Sequence, residues 1–420
     1  MKSMYRYIWL LAYLLVITTV SAQSGQEDPI DIYLKIAAEN NPELRSVFNQ
    51  YHAALERMPQ AKALPDPTAM FSFFASPVET RVGAQRFGIS LTQAFPWFGQ
   101  LKSQENAVAQ LAKARYEAFE EFKNKLFFNV RGTYYDLYVL VAATNITREN
   151  IRLLQSFRQL ANVRLESANG SAVDLLRVEM DLEELQNQLL YLEDSRIPIQ
   201  ARFNELLNTA TPMDIIVPDT LATISFSENK STLLDSIISQ NPSLKSFEHE
   251  ILAMDAEIEV AHKMALPSFS LGLAYTNISA RTDVTMPENG KDALIFPQVG
   301  VRIPLYRNKY QSMIKEREFL KNSVSDRKEN KVNELKTALE KTWRDYSDAV
   351  RRVALNQRLM QLANQALDIL VAQYSTAGKD FEEILRMDRQ LLRYELELEK
   401  ARADQNTYVA YINYLTGKQL

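Results

Sequence analysis

The sequence predicts a mainly α-helical protein with a transmembrane β component, built from one unit used twice. Three observations carry this. A heptad seam occurs in duplicate, two very long stretches contain no proline, and four amphipathic strand segments fall at matching places in the two copies. The seam runs Leu175, Val178, Leu182, Leu185, Leu189, Leu192 after Gly170, and Ile384, Met387, Leu391, Tyr394, Leu398, Ala401 after Gly378. Its steps of three and four are those of a coiled coil, and every member is displaced by 209 positions. Upstream, Asn41-Pro42 is answered by Asn241-Pro242, and Leu64-Pro65 by Leu266-Pro267. The first copy spans residues 23–209, a linker spans 210–230 and holds Pro212 and Pro218, and the second copy spans 231–420.

The chain begins with a targeting pattern. Lys2 and Arg6 precede an apolar stretch from Tyr7 to Val20, and Val20-Ser21-Ala22 offers small residues for cleavage. Residues 1–22 therefore read as a secretory signal peptide. A short membrane anchor is the alternative, disfavoured by the length of the apolar stretch. The mature chain needs no disulfides, having no cysteine, and carries none at the cleavage site for N-terminal lipidation.

From Ile30 to about Leu64 the pattern is helical, with a break at Asn41-Pro42; Pro65 and Pro67 end it. Residues 68–95 change to period two and read as a strand pair: Phe87, Ile89 and Leu91 alternate with Gly88, Ser90 and Thr92. The second copy places its pair in 267–305. There Phe269, Leu271, Leu273 and Tyr275 alternate with small residues, and Val299, Val301, Ile303 and Leu305 alternate with Gln298, Gly300 and Arg302. One face of each strand is apolar and the other small or polar, as in an outer-membrane strand with lipid on one side and water on the other. A soluble hairpin on a core would alternate likewise. Two strands cannot bury such a face by themselves, however, and four strands cannot close a pore. Several chains must contribute.

A long helix follows each pair, over 99–168 and 309–376. About 70 residues at 1.5 Å rise is roughly 105 Å of rod. Tight turns at Gly170 and Gly378 lead into return helices over 172–207 and 381–415. A glycine suits a left-handed helix cap at such a turn.

Composition excludes several function classes. Charge is nearly balanced, with 48 basic and 52 acidic residues and no basic block, so nothing points to nucleic acid. No internal run approaches the ~18–20 apolar residues of a membrane-spanning helix. His52, His249 and His262 lack paired spacing, so no preformed metal site is read, and no cofactor is implied. No phosphate loop, HExxH or GxSxG is present, and the chain is not read as an enzyme.

The ordered set of helix, strand pair, very long helix, tight turn and return helix, made twice, resembles the outer-membrane efflux protein (TolC) family over nearly all of the mature chain. The residues that carry it are the two Asn-Pro pairs with Leu44 and Leu244, Leu64-Pro65 and Leu266-Pro267, "LTQAFPWFGQL" from Leu91 to Leu101, and "DLLR" and "EILR" after the glycine turns. The Pro96-Trp97-Phe98-Gly99 version of the turn is similar to the heavy-metal (CusC/CzcC-like) branch. The resemblance implies a homotrimer in the outer membrane of a Gram-negative bacterium. Each chain would give four strands to a 12-stranded barrel and four helical columns to a periplasmic α-helical tunnel. It further implies a passive efflux duct for metal ions or small toxic compounds. Its partners would be a periplasmic adaptor and an inner-membrane transporter of RND type. A type I protein secretion duct and a structural coiled-coil envelope protein are the alternatives.

Under that resemblance Asn169, Gly170, Ser171, Ala377, Gly378 and Lys379 are expected adaptor-contact tips. Asp174, Glu382 and Glu383 follow the turns. They suit the helix N-terminus as first-turn acids, the preferred reading. The resemblance offers a second, an acidic constriction at the tip, though their spacing from the glycines departs from the family pattern. Trp97 and Phe98 suit either an aromatic membrane belt or plain packing. Arg302, among small residues, is expected on the water side of its strand.

Overall fold

Proline and asparagine set the first boundaries. In the computed structural model, which describes residues 29–211, 213–283, 289–291, 293–377 and 381–418, α1 (Pro29–Asn40) ends where Pro42 can donate no backbone hydrogen bond. α2 (Pro42–Leu55) and the short α3 (Arg57–Lys62) follow. Beyond Pro65 and Pro67 the chain becomes β1 (Thr68–Thr80) and β2 (Gly83–Phe95). Next come the 67-residue α4 (Gln100–Glu166) and α5 (Ala172–Leu207), which continues through Pro198. The second half gives α6 (Lys230–Gln240), α7 (Pro242–Met264), β3 (Ser268–Ser279) and β4 (Ala293–Arg302). The 71-residue α8 (Arg307–Ala377) and α9 (Phe381–Thr416) complete it. The expected signal peptide, Gly378 and Lys379 lie outside the described residues.

The second strand pair is shorter than expected. β4 stops at Arg302, so Ile303 and Leu305 lie beyond it, and Pro304 cannot donate to a ladder.

The described residues form two compact units, and neither follows the sequence repeat. One takes those up to Asn41, Asn129–Thr223 and Arg352–Thr407; the other takes Pro42–Phe128, Ile224–Arg351 and those from Tyr408 onward. The first unit holds the paired helical hairpins. Their common core draws Ile151, Leu154, Phe157 and Ala161 from α4, Val178 and Leu182 from α5, Ala363, Leu367 and Tyr374 from α8, and Phe381, Ile384, Leu385 and Leu391 from α9. Burying each large side chain contributes about 1.5–3 kcal/mol. The heptad seam supplies Val178 and Leu182 of α5 and Ile384 and Leu391 of α9, with Phe381 and Leu385 added beside it.

The residues after α5 are pinned in the same unit by buried polar groups. The Tyr138 hydroxyl accepts from Leu221 N at 3.0 Å and donates to Glu399. The Tyr33 hydroxyl accepts from Ile216 N at 3.0 Å, and Asn406 Nδ2 donates to Ala222 O at 2.8 Å. Burial and the Glu399 contact push the Tyr138 phenol up to about 12.

The Asn-Pro pairs have a physical role that recurs in each unit. Asn41 Nδ2 donates to Leu206 O at 3.1 Å, and Asn241 Nδ2 to Leu415 O at 2.9 Å. Each asparagine thus bonds to the last turn of a return helix within its own unit. Those return helices end on left-handed residues 209 positions apart, Asn208 at φ 48° and Gly417 at φ 70°. Asn241 also caps α7, its Oδ1 accepting from Leu244 N at 3.3 Å. Asn241→Ala is therefore expected to destabilise by roughly 2–3 kcal/mol, through the lost cap and an unpaired Leu415 carbonyl. Asn241→Asp keeps the cap and should recover part of that loss in a thermal-unfolding comparison.

Candidate functional site

The sheet lies in the second unit. Its four strands run antiparallel in the order β1-β2-β3-β4. The register aligns one apolar row across all of them: Ala69, Leu91, Leu273 and Pro297. Phe71, Ile89 and Tyr275 form the next. This face is uncovered: Phe71 is 76% exposed, Leu273 53% and Val299 74%. In water such a face would be a strong liability.

The opposite face is small and polar. Thr68, Thr92, Gly272 and Gln298 share one row; Ser268 and Arg302 share another. Arg302 thus falls on the face away from the apolar rows, where the alternation put it. Crowding explains the glycines here. A Cβ on Gly272 would lie 2.9 Å from Thr92 Oγ1 and one on Gly300 2.3 Å from Ser270 Oγ. At the start of β2, Gly83 has φ 135°, and a Cβ there would fall 1.8 Å from the Ser279 carbonyl oxygen. Gly83→Ala is accordingly expected to disrupt the β2–β3 ladder, read as faster hydrogen exchange of the β2 and β3 amides.

Aromatic rings gather where β2 passes into α4. Trp97 stacks on Phe269 with centroids 5.9 Å apart, and the 79%-exposed Phe98 sits 6.5 Å from the same ring. Gly99 at φ 76° turns the chain into α4, and Lys263 Nζ donates to Ser103 Oγ at 2.8 Å there.

The first hairpin tip is closed by a Schellman turn. Asn169 N donates to Arg164 O at 2.9 Å and Ala168 N to Leu165 O at 3.0 Å. The left-handed residue is Ala168 at φ 57°, not Gly170. Gly170 is needed for proximity instead: a Cβ there would lie 2.9 Å from Arg164 Cβ. This corrects the expectation that Gly170 caps the helix. Ser171 caps α5, accepting from Val173 N at 3.1 Å. Asn169 and Ser171 are exposed, and Ala377 is the last residue of α8.

The acids near the turns are paired. Arg177 Nη1 lies 3.0 Å from Glu382 Oε2 and 4.0 Å from Asp174 Oδ1, joining the first turns of α5 and α9. Glu383 pairs with Arg386, and Arg389 with Asp181 at 3.0 Å. Arg164 donates to Ser375 O at 2.9 Å and lies over the Tyr374 ring. The sequence reading missed Arg177 and Arg164 as partners, though "DLLR" contained the first.

It also missed a buried polar pair. Asp388 is 1% exposed, and Asn150 Nδ2 donates to its Oδ1 at 3.1 Å. Burial above all, with Asp181 and Glu395 adding to it, pushes the Asp388 carboxyl up to about 7. The histidines lie in the second unit: His52 packs edge-on against Phe48, and His249 Nδ1 is 3.0 Å from Gln110 Oε1. Among the described residues no group of three or more His, Cys, Asp or Glu could hold a metal ion.

No family model matches the chain. Among curated relatives, the outer membrane efflux protein BepC of Brucella suis is 21% identical over 405 residues, covering 94% of this chain and 86% of its own. The toluene efflux pump outer membrane protein TtgI of Pseudomonas putida is 22% identical over 275 residues, 64% of this chain. The pyoverdine export outer membrane protein OpmQ of Pseudomonas putida is 22% identical over 179 residues, 43% of this chain. The chain spans 58% of TtgI and 38% of OpmQ. Solved structures match more completely. A CusC structure superposes with TM-score 0.78 at 17% identity, covering 93% of this chain and 92% of its own. The outer-membrane channel OprN gives 0.76 at 18%, covering 93% and 90%. VceC of Vibrio cholerae gives 0.73 at 12%, covering 93% and 96%. The fold is that of these outer-membrane channels.

Proposed function

We propose that this chain, which has the fold of the TolC-type outer-membrane channels and resembles efflux proteins in sequence, is the outer-membrane duct of an efflux pump. The observation that carries the reading is the sheet. It has an uncovered apolar face, a small polar face and two outer strands, β1 and β4, which among the described residues have no neighbour on their far sides. Lipid satisfies the apolar face, and copies of the same chain satisfy the edges. Three copies give 12 strands and a closed barrel, with Arg302 and Gln298 towards its water-filled interior.

The helical hairpins supply the periplasmic part of the duct, with Asn169, Gly170, Ser171, Ala377, Gly378 and Lys379 as the surface for a periplasmic adaptor. An inner-membrane transporter of RND type supplies the energy. Asp174, Glu382 and Glu383 act foremost as first-turn acids held by arginines. Trp97, Phe98 and Phe269 form an aromatic belt at the membrane boundary. The cargo is small toxic compounds; metal ions have only the resemblance of the Pro96–Gly99 turn behind them. The chain performs no chemistry on what passes.

Deleting the gene and following accumulation of a fluorescent efflux dye tests this. Cells lacking the chain should accumulate several-fold more dye, and a plasmid copy should restore export. Equal accumulation with and without the chain would contradict the efflux role.

A further inference from the structure

In the first unit, one polar pair is sealed inside the apolar core of the two hairpins. Asn150 of α4 and Asp388 of α9 are 6% and 1% exposed. Around them the core takes Ile151 and Leu154 from α4, Ile384, Leu385 and Leu391 from α9, Val178 and Leu182 from α5, and Ala363 and Leu367 from α8. Asn150 gives one hydrogen bond, from Nδ2 to Asp388 Oδ1, while its own Oδ1 is buried with no partner. A buried amide oxygen left unpaired costs about 1–3 kcal/mol. An ionised carboxylate can only accept, so it cannot supply that missing donor. A neutral carboxyl carries an O–H, the kind of donor that the Asn150 oxygen lacks.

The charged groups acting on Asp388 are few. Asp181 of α5, itself ion-paired to Arg389 at 3.0 Å, and Glu395 of α9 disfavour its ionisation; the hydrogen bond from Asn150 and, less, Arg389 favour it, and burial outweighs both. Glu395 is held up by its own burial, with Glu149 of α4 adding to this. From α8 the core receives apolar side chains such as Ala363 and Leu367.

We propose that Asn150 and Asp388 form a proton-operated latch between α4 and α9: with the Asp388 carboxyl neutral the helices close on their shared core, and loss of its proton separates them. On release the O–H bond breaks, the proton passes to solvent, and the electron pair stays on the carboxylate. An ionised carboxylate cannot remain in this apolar site without water, so the helices part to admit it. The sign follows from linkage. The folded carboxyl titrates at about 7, above its unfolded value of about 3.9. The latch's stabilisation is thus complete below the ordinary carboxylate range and is lost as pH rises to about 7. The latch belongs to this helical unit and stands whether or not the chain is a duct. Under the duct reading, on which this last clause rests, the separation loosens the hairpin end of the tunnel.

The chain has no cysteine, so spin labels can be placed on Arg152→Cys of α4 and Arg393→Cys of α9, both exposed. Electron–electron distance measurements on the otherwise native full-length protein should lengthen or broaden between about pH 5.5 and about pH 8.5, with a midpoint near the value at which the latch titrates. Adding Asp388→Asn, or the neutral and apolar Asp388→Leu, should hold the short distance at both pH values. A pH-independent distance in the native pair would overturn the proposal. So would a shift that persists in either Asp388 variant, because another group would then carry it.

Discussion

Leu273→Arg is expected to abolish assembly in the outer membrane. Leu273 lies mid-strand in β3, on the apolar row it shares with Leu91 and Pro297, and is 53% exposed. Its loss removes no internal packing of consequence, so a protein soluble in water would tolerate the change. Facing lipid, an arginine near the bilayer centre costs roughly 2–4 kcal/mol per copy, or on the order of 6–12 kcal/mol in a trimer. Gln298→Arg is the control. It adds the same charge to the polar face, in the row it shares with Gly272, and should assemble normally. Comparing the two variants in separated outer membranes reads the difference directly. Equal membrane yields would mean that the apolar face does not meet lipid.

Ile384→Ala is expected to loosen the hairpins far more than the same change at its counterpart, Leu175. Both occupy the first seam position after the turn. Yet Ile384 is fully buried, whereas Leu175 only flanks the core. Truncating a buried isoleucine costs about 2–5 kcal/mol, the spread reflecting how far the site collapses. At Leu175 the loss should be smaller, nearer ~1 kcal/mol, since it packs at the edge of the core with part of its surface already wet. A chain of two units need not unfold in one step, so hydrogen exchange of the α9 amides is the suitable measurement. Exchange should accelerate about 30-fold or more for Ile384→Ala and several-fold for Leu175→Ala. Similar acceleration in both would contradict the asymmetric core.

That asymmetry marks the limit of what the residues disclosed. The duplicated seam, the long helices and the strand alternation were legible because each follows a period set by backbone geometry. Helix ends were legible to within two or three residues, set by Asn-Pro pairs, Pro65 and Pro67, and the turns. Burial beside the seam was not. Leu176 and Glu179 of α5 are exposed, while Leu385 and Asp388, displaced by the same 209 positions, are sealed in the core. The pattern is the same in both copies; only tertiary packing covers the second face of α9. The Gly170 turn misled for a related reason. A glycine after a helix suggests a left-handed cap, but Ala168 adopts that conformation and Gly170 provides close approach to Arg164. Ion pairing at the tip was equally hidden. Arg177 reaches Glu382 across 205 positions of sequence, and no local pattern encodes such a partner.

The most direct test of the account is the mass, in detergent, of the protein extracted from outer membranes. A particle of three chains that requires detergent to stay in solution is the expected result. A monomer that remains soluble without detergent would contradict the closed barrel and, with it, the duct.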